Sequence, residues 1–560
     1  MSEKDKQKQD KTKEKYTPNA SLGSAVISLV NSTLGAGMLG IPLAYAKAGV
    51  FPAIVMHIVM ALMSFFSFHF LIEVADALQQ YSLGELSETL FGVIGVVVIE
   101  FCNAIYGFGS LWAYMILITD FLTSMLRGLG IPSEHPCVQN WFIAILVAFF
   151  VLQPLSWMRK LDSLRFTSFF GTISMAICVA VVIFRFFSPF DKDFHPDPPL
   201  FARPTPAMIQ TFSTLTFAFG CQQNIPIIQG EIKKRSRKTM YIVSVFSIST
   251  VGIFYMIAGL FGYFSFTTLF YTDPHAGNIL EMFDDKDIGA VVARICSLIT
   301  VLFCFPMNSL PTRLAIYNIV VGMKHHFSRK GYTPLKEANK SFARPELVNV
   351  KGQEVKLDVK NYSGESQTLK ENEGMDEESP ESEDSTETLP LRRSFISSTV
   401  SMENMSEASD PVPSKKVLCT TLSVIVSCAV GSTLVLIVMV LSIFLNKVNF
   451  VFDIVGSTAG VAIAFIVPPV LYLRLKKNPR RYIKRHRFTD PRFPEMGEEN
   501  KKRLEELFEE SKNSGKTGKF HITPGRVMAY VTIAFGLICG LFSLSMAIIF
   551  DTDISKHVNW

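Results

Sequence analysis

The sequence predicts an all-α membrane protein that crosses the bilayer many times, with two related halves of five spans each and an eleventh span added. Three observations carry this prediction. Hydrophobic residues make up 49% of the 560 residues and charged residues only 18%, below the roughly 25% that is usual in soluble domains. The charged residues cluster in a few blocks between long apolar stretches. Two of these stretches, the first and the sixth, are interrupted near the middle by polar residues, glycine and proline.

Eleven apolar stretches are close to or longer than the roughly 20 residues that a helix needs to cross a bilayer. They lie at about 21–47, 51–74, 93–127, 139–156, 165–188, 207–229, 239–266, 289–319, 417–445, 450–474 and 525–549. The loops after the fourth, sixth and tenth stretches are rich in lysine and arginine, whereas 267–288 holds five acidic residues and one lysine. Because positive charge is enriched in cytosolic loops, we expect a cytosolic N-terminus and an outer C-terminus.

The polar segments divide the chain further. We expect a disordered cytosolic tail at 1–18, spans one to eight at 19–320, a disordered cytosolic loop at 321–416, spans nine and ten at 417–474, a basic cytosolic loop with a short helix at 475–524, and the last span with a short outer tail at 525–560. The insertion at 325–416 contains an acidic, Ser/Thr-rich run. Its composition fits a docking site for a cytosolic regulator and fits an inert linker equally well.

The first span contains a polar and glycine-rich interruption. Its order is Asn31, Ser32, Thr33, Leu34, Gly35, Ala36, Gly37, then Gly40 and Pro42. Glycines in membrane helices often serve close helix packing, but packing does not require three consecutive polar residues. A helix broken inside the membrane exposes N–H groups that suit a carboxylate and C=O groups that suit a cation. The stretch is therefore predicted to form the substrate site of a transporter.

The sixth span is interrupted in the same way between Phe212 and Pro226. A pair of broken helices in corresponding positions is typical of an inverted repeat with the binding site between its halves. We expect the amides of 35–37 to bind the carboxylate of an amino acid and the unwound carbonyls of span six to bind its ammonium. The predicted substrate-binding residues are Thr33, Leu34, Gly35, Ala36, Gly37, Thr214 and Phe217, the last two selecting the side chain.

The eighth span has one polar face, formed by Thr300, Cys304 and Asn308 at intervals of four residues. Because oxygen ligands suit a hard cation, this face and the first span are predicted to form a sodium site. Its candidate ligands are Asn31, Leu34, Thr300, Cys304 and Asn308. The alternative is that threonine and asparagine only form interhelical hydrogen bonds, which contribute about 1 kcal/mol.

Ionisable residues inside membrane spans are functional candidates by default. Asp120, His57 and His69 are candidates of this kind. Asp120, however, lies near an outer end where it can reach water, and helix packing explains the two histidines. Three more, Glu73, Glu100 and Arg313, lie at predicted inner ends and are expected to contact water. No catalytic set, phosphate loop or nucleotide motif stands out, so neither an enzyme nor a cofactor other than a coupling ion is predicted. The basic residues gather at span ends, which predicts lipid rather than nucleic acid as their partner.

Several segments match, in order, one family of membrane proteins. They are Asn31–Pro42, 106–120, 161–166, 217–237, 260–263, 306–311 and 452–468. In these segments the chain resembles the amino acid/auxin permease family, and most closely its sodium-coupled neutral amino acid transporters. The resemblance covers nearly all apolar stretches but neither the tails nor 325–416. It implies a LeuT-like fold with eleven spans, a cytosolic N-terminus and alternating access.

The resemblance also bears on the coupling ion. The family's sodium-site asparagine in the first span matches Asn31, but its threonine in the eighth span falls at Cys304 when Pro306 is aligned. A thiol is a poor ligand for a hard cation. Sodium coupling would then depend on Thr300, Asn308 or carbonyl oxygens.

Together these observations predict a secondary active transporter of neutral amino acids that is coupled to sodium. Two alternatives stay open. One is a proton-coupled transporter of an acidic organelle, and the other is an amino acid sensor that signals through 325–416 with little flux. The sequence predicts a multi-pass membrane protein of either the plasma membrane or an organelle of the lysosome or vacuole type.

Overall fold

The computed structural model describes residues 20–157, 164–188, 199–203, 205–233, 236–271, 276–327, 415–477 and 523–551. The helices of these segments are α1 (Leu22–Thr33), α2 (Gly37–Ala48), α3 (Val50–Leu78), α4 (Leu83–Gly128), α5 (Asn140–Ser156), α6 (Leu164–Phe187), α7 (Gln210–Ala218), α8 (Asn224–Glu231), α9 (Arg237–Phe266), α10 (Ile288–Phe327), α11 (Lys415–Phe444), α12 (Val448–Lys477) and α13 (Pro524–Asp551).

The architecture is that of an all-α polytopic membrane protein, as predicted. In the described segments, eight helices are long and apolar enough to cross a bilayer, or nine when the bent pair α1–α2 counts as one span. The shorter apolar helix α5 and the pair α7–α8 occupy the predicted fourth and sixth spans. The total of eleven spans therefore stays a prediction, as does the cytosolic position of the N-terminus.

Both predicted interruptions are breaks between two helices. α1 ends at Thr33, where the Leu34 amide still donates to Val30 O over 2.8 Å, and α2 begins at Gly37 with its axis bent by 57°. α7 and α8 are separated by residues 219–223. Pro42 lies inside α2, where a proline removes one backbone donor. The chain thus folds each interrupted span as two short helices.

The fourth helix differs from its prediction. α4 begins at Leu83 rather than near 93 and includes a kink at Gly92, whose φ of 72° lies in the left-handed region that favours glycine. As a result, Glu100 lies well inside the helix, and its exposed fraction is only 3%. Arg313 is fully buried because α10 continues to Phe327. The expectation that these two side chains contact water is wrong. The third such residue, Glu73, is partly buried and pairs with Arg237 over 2.7 Å.

Most polar segments fall outside the described residues. These include the predicted tails at 1–18 and 552–560, nearly all of the loop at 321–416 and most of the basic loop at 475–524. The chain divides into two compact units, Met1–Pro345 with Cys419–Trp560 and Glu346–Leu418. All helices except the first residues of α11 belong to the first unit.

Ion pairs connect the segment between α9 and α10 to α4. Glu281 lies in a short 3-10 turn at Ile279–Met282 and contacts Ser124 of α4. Its carboxylate lies 3.6 Å from Arg127 and 3.8 Å from the buried Arg294. Burial raises the pKa of Glu281 to about 7, although Arg294, Ser124 and Arg127 act in the opposite direction.

We therefore expect acid to stabilise the folded protein through Glu281. A carboxyl whose folded-state pKa lies above its ordinary value contributes stability that is present in acid and lost as the pH rises. The window runs from the ordinary value of 4.5 to about 7. Thermal unfolding at several pH values should show a smaller pH dependence for Glu281→Gln than for the wild type. Replacing the exposed Glu134 by glutamine is the control, and an unchanged pH dependence in Glu281→Gln would contradict the assignment.

Candidate functional site

The two helix breaks meet, and tyrosine hydroxyls hold them together. Tyr255 of α9 lies 2.5 Å from Thr33 O and 3.0 Å from Ala218 O, so its single proton is shared between the two breaks. Tyr106 of α4 similarly lies 2.6 Å from Gly220 O and 3.1 Å from Phe217 O. All of these groups are buried. The site is thus built where α1–α2 and α7–α8 cross between α4 and α9.

The start of α2 offers free backbone donors. The Leu34 and Gly35 amides bind Val30 O and Thr33 O, while Met38 and Leu39 donate to Gly35 O and Ala36 O. Within the described part of the chain, the amides of Ala36 and Gly37 have no acceptor. Amides at a helix N-terminus, with the positive end of the helix dipole, suit a carboxylate.

Gly37 makes the close contact between the two breaks. A Cβ at this position would lie 2.6 Å from Ala218 Cα and 2.8 Å from Ala218 Cβ, closer than carbon atoms approach. Gly40 has the same constraint, since a Cβ there would lie 2.7 Å from the Phe452 ring. Only glycine allows α2 to pack this closely against α7 and α12.

Gly37→Ala should therefore separate the breaks. Overpacking of a close contact destabilises a protein by about 1–3 kcal/mol, and the shift displaces the free amides of 36 and 37. We expect a lower thermal unfolding temperature and loss of amino acid binding. Gly23→Ala on α1 is the matched control, because no atom of the described residues lies within 4 Å of a Cβ built there. Equal behaviour of the two variants would contradict this role for Gly37.

In the structure, the predicted residues of span six make contacts that the sequence did not indicate. We expected unwound carbonyls of span six to bind an ammonium, and those of Phe217, Ala218 and Gly220 already accept the tyrosine hydroxyls. A carbonyl oxygen nevertheless has a second lone pair. The Phe217 ring packs against Phe452, with 4.8 Å between the centroids. Phe217 is the second-last residue of α7 and so lies next to the α7–α8 break.

Thr214 belongs to a buried polar group that sequence reasoning missed. Its hydroxyl donates to Asp453 Oδ1 over 3.0 Å, and Lys47 Nζ lies 2.9 Å from Asp453 Oδ2. The Asp453 side chain is fully buried and that of Lys47 is 14% exposed. These contacts join α7, α12 and the end of α2. The available signal was an aspartate inside an otherwise apolar span.

Two of the candidate cation ligands face the same glycine. Asn31 donates from Nδ2 to Met307 Sδ over 3.8 Å, but its buried Oδ1 has no partner in the described segments. A Cβ on Gly171 of α6 would lie 2.3 Å from that oxygen and 3.7 Å from Thr300 Cγ2. The Thr300 hydroxyl donates to Cys296 O over 3.0 Å and lies 3.5 Å from Gly171 O. Neutral oxygens of α1, α6 and α10 thus come together around Gly171.

The other three candidates have different surroundings. Asn308 Nδ2 donates to the Tyr114 hydroxyl over 3.0 Å, and a Cβ on Gly35 would lie 3.2 Å from the same hydroxyl. Asn308 is thus linked to the α1–α2 break through Tyr114. Leu34 is buried, and its carbonyl accepts no hydrogen bond from the described residues. Cys304 is buried, and its carbonyl accepts a hydrogen bond from Asn308.

The two histidine candidates contact neighbouring helices. His57 is buried, with Nε2 3.1 Å from Gly252 O, and His69 contacts the Tyr241 hydroxyl over 2.8 Å. Asp120 is half-buried on α4. The residues that sequence reasoning missed at the centre are Tyr106, Tyr114 and Tyr255. Tyrosines are common in apolar spans, so nothing in the sequence distinguished these three.

Comparison with known proteins decides the family. The profile of the family described as "Transmembrane amino acid transporter protein" matches residues 18–491. The chain belongs to this family. It is 27% identical to vacuolar amino acid transporter 5 of Schizosaccharomyces pombe over 305 residues, which cover 53% of this chain and 69% of the relative.

Two further proteins are similar to this amino acid transporter family member. Sodium-coupled neutral amino acid symporter 2 of Danio rerio is 25% identical over 337 residues, which cover 56% of this chain and 66% of the symporter. The structure of MhsT in complex with L-phenylalanine aligns with 94% of this chain and 99% of its own, with 12% identity and a TM-score of 0.44. The family match over residues 18–491 confirms the resemblance to the amino acid/auxin permease family, and the chain is a transporter rather than an enzyme.

Proposed function

We propose that this protein is a secondary active transporter that moves neutral amino acids by alternating access, coupled to sodium. The observation that carries the proposal is the meeting of the two broken helices, where the Ala36 and Gly37 amides have no acceptor among the described residues and Phe217 lies next to the second break. A zwitterion needs a donor set for its carboxylate and acceptors for its ammonium, and the breaks supply both. The Asp453 carboxylate, which contacts Thr214, is already paired with Lys47. Because these two charges neutralise each other, the site favours a substrate without net charge.

Sodium coupling is supported by Asn31. Its buried Oδ1 lacks a partner among the described residues, and an unsatisfied buried acceptor costs about 1–3 kcal/mol. A cation bound between Asn31, Thr300 and neighbouring carbonyls would satisfy it. The ligands are neutral oxygens, which suit a hard monovalent cation better than the Cys304 thiol does. Cys304 is then a neighbour of the site and not a ligand.

Cys304 also favours a second candidate, coupling to protons in an acidic organelle. The thiol stands where the resemblance predicts a threonine ligand, and one of the relatives is named a vacuolar amino acid transporter. Under this alternative the Asn31 oxygen faces a water molecule rather than sodium. The two candidates predict different membranes, the plasma membrane for sodium coupling and an acidic organelle for proton coupling.

Substrate analogues test the site. Purified protein should be stabilised against thermal unfolding by L-alanine in sodium buffer. L-alanine methyl ester should not stabilise it, because the ester lacks the carboxylate that the Ala36 and Gly37 amides would bind. N-acetyl-L-alanine, which lacks the ammonium, should also be inactive. L-lysine and L-glutamate test the preference for neutral side chains. Equal stabilisation by the ester and by alanine would contradict the proposed orientation.

A further inference from the structure

Glu100 is a buried carboxyl group that the proposed transport site does not use. It lies on α4, and its exposed fraction is 3%. Its Oε1 accepts a hydrogen bond from Asn318 Nδ2 of α10 over 2.9 Å, and its Oε2 accepts one from Asn103 Nδ2 over 3.2 Å. Gly84 makes room for it, because a Cβ there would lie 2.4 Å from Oε1. Two neutral amides thus hold a carboxyl group within the bundle.

Charged groups on the neighbouring elements do not compensate Glu100. α4 also carries Glu85, Glu88, Asp120 and Arg127, α10 carries Arg294, Arg313 and Lys324, and α12 carries Asp453, Arg474, Lys476 and Lys477. Arg127 and Arg294 pair with Glu281 and Asp285, and Asp453 pairs with Lys47. Arg313 donates to Ser309 O and Ser427, and Arg474 donates to Leu90 O. On α3, Glu73 and Asp76 pair with Arg237. No ion pair of the described segments includes Glu100, and an isolated buried charge is strongly disfavoured unless it is neutralised.

The surroundings of Glu100 accommodate both protonation states. The ionised group accepts from Asn318 and Asn103 as the structure shows. Asn318 Oδ1 is buried and has no partner within the described residues. When Glu100 is protonated, it gains one O–H donor. A rotation of the Asn318 amide by half a turn then presents Oδ1 to that donor and satisfies both groups.

The position of Glu100 connects it to the transport site. α4 and α10 pack against each other along a seam of three contacts. Gly107, Glu100 and Val97 of α4 face Thr312, Asn318 and Gly322 of α10, in that order. The first contact is so close that a Cβ on Gly107 would clash with Thr312. The same two helices carry Tyr106, which donates to Gly220 O in the second break, and Asn308, which is linked to the first break through Tyr114. Glu100 and Tyr106 are six positions apart, which is about 9 Å along a helix at 1.5 Å per residue.

We propose that Glu100 and Asn318 form a proton-binding site, and that its protonation couples pH to transport. This inference rests on the proposed function for its role in transport but not for proton binding itself. The proton is exchanged with water on the side of the Gly92 kink, which is cytosolic in the predicted topology with its cytosolic N-terminus. Protonation removes a charge from the seam between α4 and α10, and the amide of Asn318 reverses. The packing of the two helices that hold the breaks then differs between the two states.

Infrared difference spectroscopy tests proton binding directly. Because Glu281 also binds a proton near pH 7, the spectra are recorded in a Glu281→Gln background. This protein at neutral pH should show the C=O stretch of a protonated carboxyl group, and base should remove it. Glu100→Gln should lack that band and keep its fold, because a glutamine amide can replace the protonated acid toward Asn318 Oδ1. Asn318→Ala should shift the band, since it removes the acceptor. Glu134→Gln, which neutralises an exposed carboxylate, is the control and should keep it.

Transport supplies the second readout. Uptake of L-alanine into proteoliposomes should vary with pH in the wild type and in Glu134→Gln, and this dependence should be lost in Glu100→Gln. In the Glu281→Gln background, a band that Glu100→Gln leaves unchanged, or the absence of any band before that change, would overturn the inference. Loss of the band with an unchanged pH dependence of uptake would overturn the coupling role. A wild type that shows the band but neither binds nor transports amino acids would instead contradict the proposed function.

Discussion

Asn31→Ala is expected to abolish ion-dependent transport while leaving the protein folded. The substitution removes Oδ1, the oxygen that we assign to the cation and a buried acceptor that has no partner in the described segments, together with the long hydrogen bond from Nδ2 to Met307 Sδ. Removing an unsatisfied buried group costs little stability. The two effects should therefore separate, with transport lost and the thermal unfolding temperature nearly unchanged. Uptake of L-alanine with sodium and with choline, alongside thermal unfolding, measures both.

Ser32→Ala is the matched control for Asn31. Ser32 is the next residue of α1, and within the described segments its hydroxyl donates only to Leu29 O of the same helix, over 2.9 Å. This variant should keep sodium-dependent uptake, since it removes a local hydrogen bond and no candidate ligand. If Asn31→Ala transports at the wild-type rate, Asn31 is not a ligand of the coupling ion.

Asp453→Asn is expected to cause the largest loss of stability. It leaves Lys47 without its partner and weakens the bond from Thr214. Breaking a buried ion pair from one side costs about 3–5 kcal/mol. Because the Lys47 side chain is 14% exposed, it can turn partly toward water, and we expect a cost near the lower end, about 3 kcal/mol. Thermal unfolding of the purified protein gives the size of the loss.

A double variant distinguishes loss of the pair from loss of packing. Lys47→Met combined with Asp453→Asn removes both charges, so no uncompensated charge remains at the junction of α2, α7 and α12. We expect the double variant to recover most of the stability that the single variant loses, because replacing both members of a buried pair is often nearly neutral. A double variant as unstable as Asp453→Asn would show that the unpaired lysine is not the cause.

The sequence predicts the broken helices well for a physical reason. Each break depends on residues that act on their own backbone, namely the polar run at 31–33 with the glycines that follow, and the sequence from Gly220 to Pro226. Such residues are costly in an unbroken membrane helix, so their presence predicts the interruption. The place where α1 ends and α2 begins follows directly from this pattern.

The contacts that complete the site depend on distant parts of the chain and were not predictable. Lys47 and Asp453 are separated by 406 positions, and Asn308 and Tyr114 by 194. Any of the many hydroxyls in the apolar spans was an equal candidate for holding the breaks. The burial of Glu100 was missed because α4 begins ahead of its apolar core, at Leu83, and bends at Gly92. An apolar stretch marks where a span lies but not where its helix begins.

Uptake of amino acid into proteoliposomes identifies the coupling ion of the transporter. Labelled L-alanine would be offered with sodium or with choline outside, each with and without an imposed pH gradient. We predict uptake at neutral pH that requires sodium and is lost in Asn31→Ala. Uptake that is driven by the pH gradient alone, and is equal in sodium and in choline, would contradict sodium coupling and favour proton coupling.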